Sequence, residues 1–150
     1  MDKKYFAMAI NEAQNGVLNK EGGPFGAVII KNNEIISTTH NCVLKNNDPT
    51  AHAEVNAIRE ACGKLNTFNL DGCILYTTTE PCPMCLSACI WAGIKELYYI
   101  TDRTDAAKIG FKDDLIYEYL KKTNDNILKK VQIKNQEGKD LLNNYKGNMY

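Results

Sequence analysis

Arginine is scarce in this chain. Of eighteen basic residues only Arg59 and Arg103 are arginine, and eighteen acidic residues cancel the charge. Bidentate phosphate or guanine-edge readout therefore has few candidates, and no basic field gathers nucleic acid or an anionic membrane. That counts against a nucleic-acid partner. No apolar run approaches the ~20 residues of a membrane helix, which counts against a membrane one. The start, Met1-Asp2-Lys3-Lys4-Tyr5-Phe6, lacks the long apolar core and cleavage site of a signal peptide. Six cysteines without an export signal then read as thiols or metal ligands rather than disulfides, and the expected location is the cytoplasm. Internal repeats, low-complexity tracts and Pro/Ser-rich linkers are absent as well.

What is present is ordinary globular composition: 150 residues, 44% hydrophobic and 24% charged. We read a single domain over residues 1–150, a size at which folding buries roughly 68–70% of the unfolded chain's surface. Apolar residues at three- and four-residue spacings predict a helix over residues 2–19, broken by Glu21-Gly22-Gly23-Pro24. Phe25–Ile30 predicts a buried strand, with Asn32-Asn33 turning it into a second at Ile35–His40. A helix is expected over Ala51–Cys62, a strand over Cys73–Thr78, a helix from Pro83 through Trp91 and a strand over Glu96–Thr101. Beyond Thr104 the pattern weakens: Asp113–Lys122 and Asp140–Lys146 read as helical, and Val131–Ile133 as an edge strand. This order describes an α/β domain with helices covering a mixed sheet.

The residues that carry chemistry are His52-Ala53-Glu54 and Pro81-Cys82-Pro83-Met84-Cys85. Two thiolates three residues apart and one imidazole supply three ligands of a tetrahedral zinc site. A fourth position left to water separates a catalytic zinc from a structural one. At a helix start, Cys82 and Cys85 share a face, and the dipole there favours thiolates. Two thiolates neutralise the metal's charge, so a carboxylate is needed to help deprotonate water, and Glu54 is that candidate. Residues two apart point to nearly opposite sides inside a helix, so Glu54 can serve only from the first turn. His40, Cys42, Cys62, Cys73 and Cys89 remain alternative fourth ligands. Cys89 stands one turn beyond Cys85; its ordinary reading is a buried apolar residue. His40 reads as a surface or hydrogen-bonded histidine.

His-x-Glu followed by Pro-Cys-x-x-Cys resembles the zinc nucleobase deaminases of the cytidine deaminase superfamily. Gly22-Gly23-Pro24-Phe25-Gly26-Ala27-Val28, Asn47-Asp48-Pro49-Thr50-Ala51-His52-Ala53-Glu54-Val55 and Thr104-Asp105-Ala106-Ala107 with Gly110-Phe111 look like the short, bacterial-type guanine deaminases. The resemblance runs from about Met8 to Tyr119 and returns at Tyr150, while residues 121–147 match nothing.

That resemblance implies a three-layer α/β/α fold with a mixed five-stranded sheet, one zinc per chain and a free purine base as substrate. It implies His52, Cys82 and Cys85 as ligands and Glu54 as catalytic. Asn41 would bind the purine edge, Asp113 the ring N–H that adenine lacks, and Phe25 the base face. Asp114, its neighbour, competes with Asp113 for that register. Tyr150 would complete a partner's pocket in a homodimer exchanging C-terminal segments, about residues 121–150. Alternatives stay open: guanosine, cytosine or another aminoheterocycle as substrate, a tRNA adenosine deaminase, or a closed structural zinc module.

Overall fold

The chain is described here by a computed structural model, covering residues 2–149. Residues Met1–Asp114 and Leu115–Tyr150 form two compact units.

In the first unit, α1 spans Lys3–Leu18, capped by the Asp2 side chain, which accepts from the Lys4 backbone N–H. The hairpin strands are β1 (Gly26–Lys31) and β2 (Glu34–His40), and Asn32 and Asn33 both take positive φ (51° and 65°). Two successive residues with positive φ make the turn whose twist matches a two-residue hairpin. A short α2 (Val43–Asn46), which the sequence reading did not predict, ends at left-handed Asn47. Then follow α3 (Ala53–Leu65), β3 (Cys73–Thr79), α4 (Pro83–Trp91), β4 (Glu96–Thr101) and α5 (Arg103–Lys108), α5 also unpredicted. The Asp102 carboxylate accepts from Thr104 and Asp105 backbone N–H groups, so a capping box starts α5.

The sheet order is β2-β1-β3-β4, with β1 antiparallel to both neighbours and β3 parallel to β4. Parallel pairing needs a crossover, and α4 supplies it. Alternation along β1 makes the layers. Val28 and Ile30 face Tyr5 and Ala9 of α1 together with Tyr76, while Ala27 and Ile29 face Ala53, Ala57 and Ala61 of α3. Alanine every fourth residue lets α3 lie close enough for β2 hydroxyls to reach its backbone. Ser37 Oγ donates to the Ala57 carbonyl (3.0 Å) and Thr39 Oγ1 to that of Ala53 (2.7 Å). Those bonds fix where α3 begins.

The three-layer expectation holds, but the sheet among the described residues has four strands, not five. Val131–Ile133 takes no strand partner; it is exposed and flanked by Lys129, Lys130 and Lys134, too short a run to hold a ladder. The last helices are α6 (Asp114–Leu120) and α7 (Gln136–Asn143), neither with a buried residue. The latter starts four residues before its predicted position because the Asn135 side chain accepts from the Gly138 backbone N–H and caps it there.

Candidate metal centre and active site

His52 is the N-cap of α3, with extended backbone (φ −69°, ψ 155°). This answers the problem of two residues on one helix facing apart: His52 lies outside the helical turn, while Glu54 lies in its first. Cys82 is likewise the extended N-cap of α4, Pro83 opens that helix, and Cys85 lies one turn in. Two helix starts thus bring together residues that are thirty positions apart.

The three side chains form a nearly equilateral triangle. Cys82 Sγ is 3.6 Å from His52 Nδ1, Cys85 Sγ is 3.4 Å from it, and the sulfurs are 3.6 Å apart. Tetrahedral zinc with Zn–S near 2.3 Å and Zn–N near 2.0–2.1 Å requires S···S of about 3.8 Å and S···N of about 3.6 Å. The donors therefore fit one face of a zinc tetrahedron. Among the described residues no further His, Cys, Asp or Glu joins this group. Cys89 belongs to the core and burial pushes its thiol up to about 12, so it stays neutral and apolar. Without metal, the hydrogen bond with Cys85 and then the one with His52 hold the Cys82 thiol down to about 4 against its burial. The same contact with Cys82, and burial, drive the Cys85 thiol upward.

Glu54 is buried, 5% exposed, and Thr77 Oγ1 of β3 donates to its Oε1 at 2.9 Å. Burial raises its pKa, while hydrogen bonds from its own backbone N–H, Thr77 and Cys85 pull the other way. A carboxyl held between those influences can both take and return a proton. Thr77 was missed by the sequence reading; nothing but its inward place on β3 marks it.

Asn41 follows β2 and is buried. Its Oδ1 accepts from the backbone N–H groups of Gly23 (3.3 Å) and Val43 (3.1 Å), and its own N–H donates to the Phe25 carbonyl (3.0 Å). The carboxamide was expected to offer a donor and an acceptor to a base. The oxygen instead holds backbone, leaving the amide N–H2 group as the donor. Gly22 lies so close that a Cβ there would collide with the Asn41 side chain.

Phe25 precedes β1 and meets Phe111 edge to face, ring centroids 4.9 Å apart, with Gly23 between them too tightly for a Cβ. The Gly110-Phe111 loop thereby reaches the Gly22–Pro24 loop, and Asp113 lies two residues further. Arg103, also unpredicted, donates from Nε to Asp113 Oδ1 (3.2 Å) and from its terminal nitrogen to Asp114. The Asp113 side chain is 18% exposed and that of Asp114 60%, which favours the former as the site residue. Tyr150 lies outside the described residues. His40, read as hydrogen-bonded rather than a ligand, is held by two carboxylates.

The family model for the cytidine and deoxycytidylate deaminase zinc-binding region matches residues 1–101. The chain belongs to this family. Guanine deaminase of Bacillus subtilis (strain 168) is 52% identical over 118 residues, 79% of this chain and 76% of that protein. An X-ray structure of guanine deaminase from Bacillus subtilis matches with a TM-score of 0.91 at 42% identity, over 100% of this chain and 99% of that one. A tRNA-specific adenosine deaminase of Aquifex aeolicus (strain VF5) is 48% identical over 100 residues, 66% of each. Among the described residues no helix is long and apolar enough to cross a membrane.

Proposed function

We propose that this chain deaminates guanine hydrolytically to xanthine and ammonia, with one zinc per chain held by His52, Cys82 and Cys85. The observation that carries the substrate is a similarity to guanine deaminase along the whole chain, at a TM-score of 0.91. A tRNA:A34 deaminase structure matches over only 67% of the chain, at 0.65. The scarcity of arginine argues in the same direction.

Zinc in such a site supplies the Lewis acidity that makes water nucleophilic at neutral pH. The residues do the rest. Glu54 takes a proton from the water attacking C2 and delivers it to the adjacent ring nitrogen. It then takes the second proton from the added oxygen and hands it to the departing amine, so that water and guanine leave as xanthine and ammonia. Thr77 keeps one Glu54 oxygen fixed, leaving the other to carry protons. The Asn41 amide N–H2 group donates to a purine acceptor, Asp113 accepts from the ring N–H, and Phe25 packs on the base.

The chain acts as one deaminase domain in a homodimer whose C-terminal segments, about residues 121–150, are exchanged, with Tyr150 entering the partner's pocket. Supporting this, Ile127, Leu128, Val131, Ile133, Leu141 and Leu142 are exposed, an unusual amount of apolar surface to leave in water. A cytoplasmic location suits a chain whose Cys82 and Cys85 serve as metal ligands.

The test is ultraviolet spectroscopy of guanine, guanosine, adenine and cytosine with the zinc-loaded protein. We expect guanine alone to convert, and Glu54→Ala to abolish the conversion. Turnover of another member would move the purine assignment, and silence on all four with activity on an anticodon stem-loop would replace it with tRNA editing.

A further inference from the structure

His40 is the residue before Asn41, and both of its ring nitrogens face carboxylates. Nδ1 is 2.9 Å from Glu12 Oε2 on α1, and Nε2 is 2.6 Å from Glu21 Oε2 on the loop after α1. A neutral imidazole has one N–H; satisfying two carboxylates takes both, which is the imidazolium. Glu21 is shared further, since its Oε1 accepts from Lys45 Nζ of α2 at 2.9 Å. Glu12, Glu21, His40 and Lys45 thus sum to no net charge. Neutral groups also lie against this residue. Gly16 of α1 lies against the imidazole ring, the Cys42 thiol donates to the His40 carbonyl and is raised by burial, and the Asn56 amide of α3 donates to the same carbonyl. Glu21, His40 and Cys42 also offer ligand atoms within 4.8 Å of one another. Nitrogen-to-oxygen distances of 2.6 and 2.9 Å are those of direct hydrogen bonds, so the cluster reads as an ionic clamp.

The clamp closes on the loop that touches Asn41. The Glu21 backbone N–H donates to the Gly16 carbonyl (2.8 Å), and its carbonyl accepts from Leu44 and Lys45 (3.0 Å each). The next residue, Gly22, packs directly on the Asn41 carboxamide, and Gly23 donates to its oxygen. Whatever holds residue 21 in place therefore holds the backbone that aims the Asn41 N–H2 group.

We propose that His40 is a positioning residue for Asn41: shared as an imidazolium by Glu12 and Glu21, it pins the Gly22–Gly23 backbone against the Asn41 carboxamide and so sets the affinity of the purine site. The inference rests on the reading of Asn41 as a purine contact. Loss of one ring proton leaves a carboxylate facing an unprotonated nitrogen, and the loop loosens. Burial opposes the charge on His40, but the two carboxylates outweigh it and raise the pKa above the ordinary value. The clamp is therefore closed below the raised pKa of His40 and opens as pH climbs through it.

The experiment compares guanine kinetics of the zinc-loaded wild type, His40→Gln and Asn41→Ala from pH 6 to 8.5, with zinc content and thermal midpoint recorded for each. Wild-type KM is expected to rise with pH. His40→Gln should show a KM raised about tenfold near neutrality, the size of one lost charge-assisted contact, with kcat within about twofold and no pH step in KM. Long-range ¹H–¹⁵N spectra should show His40 as imidazolium at pH 7. If Asn41→Ala raises KM while His40→Gln keeps the wild-type KM and its pH profile, the positioning role is overturned and the Asn41 reading survives. An unchanged KM in Asn41→Ala removes the purine contact and the inference with it. A neutral His40 at pH 7 overturns the clamp directly.

Discussion

Thr77 Oγ1 and Glu54 Oε1 are 2.9 Å apart across the interface of β3 and α3, both side chains buried. One carboxylate oxygen is thereby spent on orientation. Thr77→Val keeps the shape and removes the donor, leaving a buried charge short of one partner. We expect kcat to fall about tenfold with KM nearly unchanged, since the lost bond aims the proton carrier rather than the base. Glu54→Gln should cost roughly 10²–10⁴ in kcat while zinc stays bound. Steady-state kinetics with metal analysis on each variant separates the two effects.

Arg103 divides its guanidinium between Asp113 and Asp114, and its backbone N–H donates to Glu80 Oε2 at 3.1 Å. With Asp113 in its proposed role, Asp113→Ala should raise KM for guanine about tenfold or more, because the ring N–H would lose its acceptor. Asp114→Ala, at a more exposed position, should change KM by less than about twofold. Arg103→Lys keeps the charge but not the fork, and should fall between them. The reverse ranking of the two aspartates would move the site by one residue.

Zinc loading has its own signature. In the metal-free protein the contacts with Cys85 and His52 hold the Cys82 thiol well below its ordinary value, whereas the contact with Cys82 and burial hold the Cys85 thiol above it. Binding zinc near neutral pH must therefore release the Cys85 proton, about one per metal, with any further release coming from His52. Calorimetry in buffers of different ionisation enthalpy counts those protons. Cys85→Ser should lose both the metal and the release.

The motif residues were legible because their chemistry is in their identity: histidine, glutamate and two cysteines have few reasons to share such spacings. His52 and Glu54 can serve one metal centre only if the helix begins between them, and it does. Thr77 and Arg103 were not legible. A threonine in a strand is ordinary, and the bond that gives it a role reaches twenty-three residues back. Arg103 was noticed for its rarity, yet its partners depend on a five-residue loop after α5 whose path no pattern encodes. The fifth strand failed for the opposite reason. Val131–Ile133 has the right residues, but a strand exists only through a neighbour, and the sequence does not name one.

His40 gives a stability prediction separate from its kinetic one. Its folded pKa is raised, so the stabilisation from its two carboxylates is fully present below the unfolded value of about 6.5 and is lost as pH rises through the folded pKa. The lower bound of the window is where Glu21 protonates, and Glu21 is held below its ordinary value by His40 and then by Lys45. The thermal-midpoint difference between wild type and His40→Gln should therefore be largest between about pH 5 and 6.5 and shrink on the alkaline side. A difference that grew with pH would mean that His40 is held neutral, with one carboxylate bonded to something other than its ring.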